Sequence, residues 1–141
     1  MKKHIWMIWM LALCVCMLAS CADLVRPMNE QSAIRDLDAL QAEYEAASYT
    51  VIRADEAEVA SFAESLVSGE GLEIKGAVVG LLEYTYTDRD TGKIYMGTVI
   101  AVTDKADAKK IAEHYRSYSQ DAGGIEVEVT QKGKIVEIKN S

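Results

Sequence analysis

Apolar residues recur along the chain at spacings that change from one segment to the next, and these spacings predict its elements. An uncharged, mostly apolar run covers residues 5–22. From residue 29 onward the apolar positions lie three or four residues apart, which predicts an amphipathic leading helix over 29–48. The apolar positions of this predicted helix are Ala33, Leu37, Leu40, Tyr44 and Ala47.

The next segment alternates between strand-like and helix-like patterns. β-branched residues predict a strand at 49–53. Acids three residues apart at Asp55 and Glu58 predict a capping box at the start of a helix, whose apolar face runs through Val59, Phe62, Ala63, Leu66 and Val67. Two long runs at 77–86 and 94–102 flank a polar turn and predict a hairpin. Both runs are apolar on both faces over much of their length, so we expect partly central strands covered on two sides.

The last third of the chain repeats this order. Thr103 and Asp104 precede a predicted helix that buries Ala108, Ile111, Ala112 and Tyr115, and strands follow at 125–129 and 135–138 around a turn at 131–134. The succession β-α-β-β-α-β from residue 49 resembles the ferredoxin-like split βαβ arrangement. That resemblance implies an α+β fold, an antiparallel sheet with two helices on one face, a leading helix and an extra C-terminal strand.

The N-terminal apolar run has the parts of a secretory signal: a positive start at Lys2 and Lys3, an apolar core and small residues before a break. The residues Leu18-Ala19-Ser20-Cys21 resemble the lipobox of bacterial lipoproteins. The resemblance implies cleavage before Cys21, diacylglycerol on its thiol, and often a second acylation of the new N-terminus. An uncleaved membrane anchor is the alternative, because about 18 apolar residues can span a bilayer.

These assignments divide the chain into a signal peptide at 1–20, a lipidated tether at 21–28 and a single α+β domain at 29–141. Within the domain the leading helix occupies 29–48 and the ferredoxin-like core 49–141. Two acyl chains make membrane attachment long-lived. We therefore expect a protein on the extracytoplasmic face of the cell membrane or the outer membrane. An Asp directly after the lipidated Cys resembles an inner-membrane retention signal. This chain has Ala22 at that position, which favours the outer membrane if the envelope has one.

Composition narrows the classes of partner. The whole chain has a formal net charge of −7, and removal of residues 1–20 takes away two lysines and no acid. A protein this acidic is unsuited to nucleic acid. Cys14 and Cys16 would leave with the signal and Cys21 would be acylated, so the mature domain would have neither a free thiol nor a disulfide.

Three groups of residues could carry chemistry. Asp88 and Asp90 in the hairpin turn could share a calcium ion, although a full calcium loop needs more oxygen ligands, and a plain turn is the simpler interpretation. Tyr84, Tyr86 and Tyr95 could form an aromatic platform for a sugar ring or a peptide, although cross-strand pairing explains them more simply.

His114, the one histidine of residues 21–141, falls about 40° outside the buried arc of its predicted helix, which indicates a partly exposed side chain. It has neither a second histidine nor a thiol to share a zinc ion with. The sequence contains no nucleophile-elbow pattern and no glycine-rich phosphate loop before a helix.

We therefore expect a non-enzymatic envelope lipoprotein without a cofactor. It would be held at the membrane by Cys21 and would bind a protein partner, a small ligand or a second copy of itself. A small enzyme acting on envelope polymers and a calcium- or ligand-binding module using Asp88 and Asp90 are the alternatives.

Overall fold

The computed structural model describes residues 28–121 and 127–140, so the predicted signal peptide, most of the tether and Cys21 lie outside the described residues. Three helices and five strands follow one another in the described part, and a π-helical turn, Ser65–Gly69, continues the second helix. No helix of these two ranges is both long and apolar enough to cross a membrane. The elements are α1 (28–46), β1 (Thr50–Arg53), α2 (Glu56–Glu64), β2 (Val78–Thr87), β3 (Ile94–Val102), α3 (Lys105–Asp121), β4 (Val127–Lys132) and β5 (Ile135–Asn140).

The strands form one antiparallel sheet in the order β1-β2-β3-β5-β4. The predicted α+β class and antiparallel sheet are confirmed. The strand order of the ferredoxin-like prediction is not, because β1 and β2 pair directly and run antiparallel. In a split βαβ unit the two strands joined by a helix are parallel and have another strand between them. The apolar pattern defines each strand but carries no information about which strands pair.

Two apolar cores lie on opposite faces of the sheet. Alternating residues of β2 and β3 point to each face: Leu81 and Ile100 to one, Leu82 and Val99 to the other. Helix α1 packs on the second face through Leu37 and its neighbours. Helices α2 and α3 both lie on the first face, as predicted. The expected central strands, covered on both sides over part of their length, are present. We name the two surfaces the α1 face and the α2/α3 face.

Two glycines of the hairpin allow close approaches. A Cβ at Gly97 would collide with the ring of Tyr84, its partner across the ladder, and a Cβ at Gly80 would collide with Leu37 of α1. The ladder register also shifts between Val78 and Gly80, which marks a bulge. Each glycine therefore makes room for a large side chain on the α1 face.

Side-chain caps fix where the helices begin. The predicted capping box is present: the Asp55 carboxylate accepts the Glu58 N–H, and the Glu58 carboxylate accepts the Asp55 N–H. In α3 the fully buried Asp107 carboxylate accepts the backbone N–H groups of Lys75 and Gly76, at 3.1 and 2.7 Å. These bonds hold the segment that leads into β2 against the first turn of α3.

Three details of the sequence prediction were wrong. Ala47 is exposed, because α1 ends at residue 46. Val67 is 50% exposed, since the π-helical turn rotates it away from the apolar face that Leu66 occupies. The last hairpin has a two-residue turn rather than the predicted four, because β4 continues until Lys132 pairs with Ile135. Gly133 has the positive φ that such tight turns require.

Candidate functional site

The predicted tyrosine group forms part of a ladder of five stacked rings on the α1 face. Tyr86 and Tyr95 lie directly opposite each other on β2 and β3, with ring centroids 4.9 Å apart. Tyr49, which follows α1, stacks on Tyr86 at 4.5 Å, and Tyr44 of α1 lies 4.4 Å from Tyr84. The rings therefore join the end of α1 to the hairpin.

A single carboxylate ties the inner end of this ladder together. Glu137 Oε1 accepts hydrogen bonds from the hydroxyls of both Tyr44 and Tyr84, the former at 2.9 Å. Burial, and then the neighbouring Glu137, raise the pKa of both phenols well above the usual value for tyrosine. Tyr84 is only 3% exposed. The two phenols are therefore proton-holding donors inside the fold rather than groups available to a ligand.

Two lysines cover the outer end of the ladder. Lys93 Nζ lies 4.9 Å from the ring centroid of Tyr95, and Lys139 Nζ lies 5.4 Å from that of Tyr86. A hydrogen bond with Tyr86 raises the pKa of Lys139. Because rings and ammonium groups occupy the faces of Tyr86 and Tyr95, the three predicted tyrosines stabilise the pairing of β2 with β3 and the packing of α1 on the sheet. They do not present an open platform.

The Asp88 and Asp90 pair closes the hairpin turn. The Asp88 carboxylate accepts the backbone N–H groups of Asp90 and Thr91, at 2.9 and 3.2 Å, and these bonds lower the pKa of Asp88. This is the side-chain-to-backbone pattern of an Asx turn. In the described ranges, no three His, Cys, Asp or Glu side chains are grouped so that they could hold a metal ion.

His114 packs beside the π-helical turn. Its side chain is 22% exposed, and its Nε2 lies 2.6 Å from a carboxylate oxygen of Glu70, although the pair is not aligned as a hydrogen bond. The ring also contacts Tyr115 edge-on. The histidine therefore joins α3 to the end of the π-helical turn, in agreement with the expected partial exposure.

A groove on the α2/α3 face is a better candidate site than any of these. It lies between α2 and α3, with Leu81 and Ile100 of the central strands at its floor, and encloses about 410 Å³. Phe62 and Tyr115 contribute apolar walls from the two helices. Burial raises the pKa of Tyr115 to about 12, and the nearby Glu70 adds to this effect. Volumes of about 300–1,000 Å³ with mainly apolar linings are typical of ligand sites.

The polar groups of the groove all favour positive charge. Glu58 of α2 and Glu83 of β2 line it together with the hydroxyl of Thr98, and none of the described residues that line it is basic. Glu58 is already used in the capping box, whereas no described side chain or backbone group bonds to the carboxylate of Glu83. The lining of the groove is therefore mainly apolar, with one acid on the α2 wall and one on the sheet floor.

The same sheet face continues beyond the groove without a covering helix. Ile94 and Met96 lie an even number of residues from Ile100 on β3, so they point to the same face of the sheet. They are 63% and 56% exposed. Ile52, opposite Glu83 on the neighbouring strands, is 63% exposed and also lines the groove. We call the groove together with Ile52, Ile94 and Met96 the open half-face.

The sequence analysis missed this surface, although part of its signal was present. Ile94 and Met96 belong to a strand that is apolar on both faces over much of its length, and the sequence pattern does not show where the covering of each face ends. Only the lengths of α2 and α3, and where they cross the sheet, reveal that one half is left uncovered. Glu83 is a single acid in an apolar strand, and its position beside the groove depends on the pairing of β1 with β2.

A second groove, of about 530 Å³, lies on the other face between α1 and β4. Its lining mixes acids, including Asp36 and Glu43, with the basic Lys132. Glu137 also lines it but is engaged by two tyrosines. This groove lacks both the apolar floor and the exposed apolar continuation that the open half-face has.

Comparisons with protein-family models, with curated proteins and with solved structures gave no match.

Proposed function

We propose that this chain is a lipid-anchored envelope protein that works as a non-catalytic interaction module and binds its partner on the open half-face. The observation that carries the proposal is the half of a sheet face that α2 and α3 leave uncovered. Three large apolar side chains there, Ile52, Ile94 and Met96, are each more than half exposed. Their cross-strand partners on the same face are polar, Glu83, Thr87 and Thr85 in turn. Exposed apolar side chains rimmed by polar residues are a usual mark of an interaction site.

The proposed address comes from the lipobox resemblance at Leu18-Ala19-Ser20-Cys21. Cys21 would carry the acyl chains and hold the domain on the extracytoplasmic face of the cell membrane or the outer membrane. Metabolic labelling with a fatty-acid probe tests this assignment: Cys21→Ala should abolish labelling, and Cys16→Ala should leave it unchanged. Labelling that persists in Cys21→Ala would overturn the anchor.

Photo-crosslinking in cells that produce the full chain tests the interaction site. Benzoylphenylalanine in place of Ile52 or Met96 should give the same discrete adduct, and in place of Val67 it should give none. Val67 is the matched control because it is also an exposed apolar residue but lies on the π-helical turn, outside the half-face. The adduct at residue 96 should disappear when Ile52→Lys places a charge on the surface.

Absence of an adduct at both half-face positions would overturn the proposed site. An adduct that contains two copies of this chain would instead support the second candidate, self-association through the same exposed apolar face. Light scattering then decides, since a strictly monomeric mass at micromolar concentrations excludes a dimer in solution.

A further inference from the structure

We infer that the occupant of the open half-face is an amphipathic helix of a partner protein whose polar side carries basic residues. This inference rests on the proposed interaction function and adds the chemistry of the partner. Its grounds are the dimensions of the surface, the charges that line it and its position in the fold.

The surface has the dimensions of one helix. From Thr98 to Ile94 its exposed part extends four residues along β3, about 13 Å at 3.3 Å per residue. From β1 across β2 and β3 to β5 it is about 14 Å wide at 4.8 Å per strand. A helix of about nine residues is about 13 Å long, and its diameter with side chains is about 10–12 Å. Helices α2 and α3 already cover the other half of the same face, and one more helix would complete the layer.

The charges favour a basic helix over an acidic one and over a second copy of this chain. Glu58 lies on the α2 wall and Glu83 on the sheet floor between Ile52 and Thr98, and no described residue of the groove lining compensates them. In a two-fold symmetric dimer through this surface the groove would meet its own copy, so the acids would face acids or uncharged side chains and no basic residue of the lining. The net charge of −7 makes that approach worse. A partner with Lys or Arg beside its apolar stripe would pair with both glutamates.

An extended peptide added to the edge of the sheet fits less well. On β4 the guanidinium of Arg116 donates to the carbonyl oxygen of Val129 at 3.2–3.3 Å, so an edge acceptor there is already used. On the other edge β1 has only four residues. Short or covered edges resist strand addition, and the uncovered apolar surface is the face of the sheet.

A pair of designed peptides tests the inference. Two stapled helices with the same Leu and Ile stripe, one with a lysine-rich and one with a glutamate-rich polar side, are titrated against the full chain in nanodiscs of zwitterionic lipid. Fluorescence anisotropy is corrected with empty nanodiscs. The basic peptide should bind about tenfold more tightly, since each of two exposed pairs contributes about two- to fivefold and the glutamate-rich peptide meets like-charge repulsion instead.

The variants assign the effect to the groove. Glu58→Gln combined with Glu83→Gln should reduce that preference to less than about threefold, and Gln at residue 58 retains the capping box. Glu64→Gln, an exposed acid of α2 outside the groove lining, should leave the preference unchanged.

Equal binding of the two peptides would overturn the basic partner and leave the interaction module standing. Binding of neither would also overturn the inference. The proposed function would then be decided by crosslinking, since an adduct at residues 52 and 96 would retain the site with a partner of different chemistry. A preference that survives the double variant would place the binding surface elsewhere.

Discussion

Replacement of Tyr84 by Phe tests the tyrosine ladder as a source of stability that depends on pH. The ring stays in place over Gly97, and only the hydroxyl that donates to Glu137 is removed. A hydrogen bond to a charged group contributes about 1.5–3 kcal/mol. Glu137 retains the hydroxyl of Tyr44 and is partly exposed, so we expect a loss of about 2 kcal/mol at pH 7, in the lower half of that range.

The difference between the two proteins should shrink in alkali. Tyr84 has a raised pKa in the folded state, so its contribution to stability is complete below pH 10 and is lost as the pH rises above the ordinary tyrosine value. At pH 11 ionisation of Tyr84 in the unfolded chain costs the native protein about 1.4 kcal/mol of folding free energy. Tyr84→Phe has no hydroxyl at this position and cannot lose this contribution. The difference in the free energy of unfolding between the wild type and Tyr84→Phe should therefore fall to about 0.5 kcal/mol.

Urea unfolding of chains that begin at residue 22, followed by circular dichroism at pH 7, 9, 10 and 11, measures this gap. Tyr118→Phe is the control, since Tyr118 is 64% exposed, and it should change stability by less than about 0.5 kcal/mol at every pH. A Tyr84→Phe deficit that remains constant between pH 7 and pH 11 would refute the role of the buried phenol.

Three further substitutions follow from other contacts. Gly97→Ala should lower stability by about 1–3 kcal/mol in thermal melts, because the ring of Tyr84 is held by Glu137 and cannot move aside; Gly69→Ala, with open space around it, should be neutral. Asp107→Ala should cost about 2–4 kcal/mol in urea unfolding and Asp107→Asn about half of that, since Asn keeps one acceptor; equal losses would refute the two-bond geometry. Millimolar calcium should leave the melting temperature of wild type and Asp88→Ala unchanged, because turn amides use the Asp88 carboxylate; a rise in the wild type alone would restore the calcium hypothesis.

Local signals in the sequence predicted most of the elements because each depends on neighbouring residues. The capping box at Asp55 and Glu58 is formed by residues three positions apart, and the hairpin at 78–102 by a polar turn between two apolar runs. Strand order depends on which edges meet after collapse. The helix between β1 and β2 is compatible with a parallel or an antiparallel return, and the sequence pattern does not distinguish the two.

The candidate site was less predictable because it arises from the space between elements. Clusters that are visible in the sequence, such as Tyr84 with Tyr86, suggested a ligand-binding surface by residue type. In the fold the hydroxyl of Tyr84 bonds to Glu137, and a lysine covers the ring of Tyr86. The groove combines residues of six separate elements, and each is an ordinary apolar or polar position in its own segment.

The position of the open half-face relative to the chain start bears on what it can bind. Helix α1 begins at the end of the sheet where Lys134 donates to the Asn29 side chain at 2.9 Å, beside the last residues of β3. Ile94 and Met96 lie at the opposite end, about 30 Å away along the ten residues of β2. If Cys21 is the anchor, the tether enters at the near end, and the exposed apolar residues are carried away from the bilayer. The open half-face is then suited to a partner that approaches from the envelope space rather than to the membrane that holds the anchor. A partner helix in that space can supply the basic residues that would pair with Glu58 and Glu83.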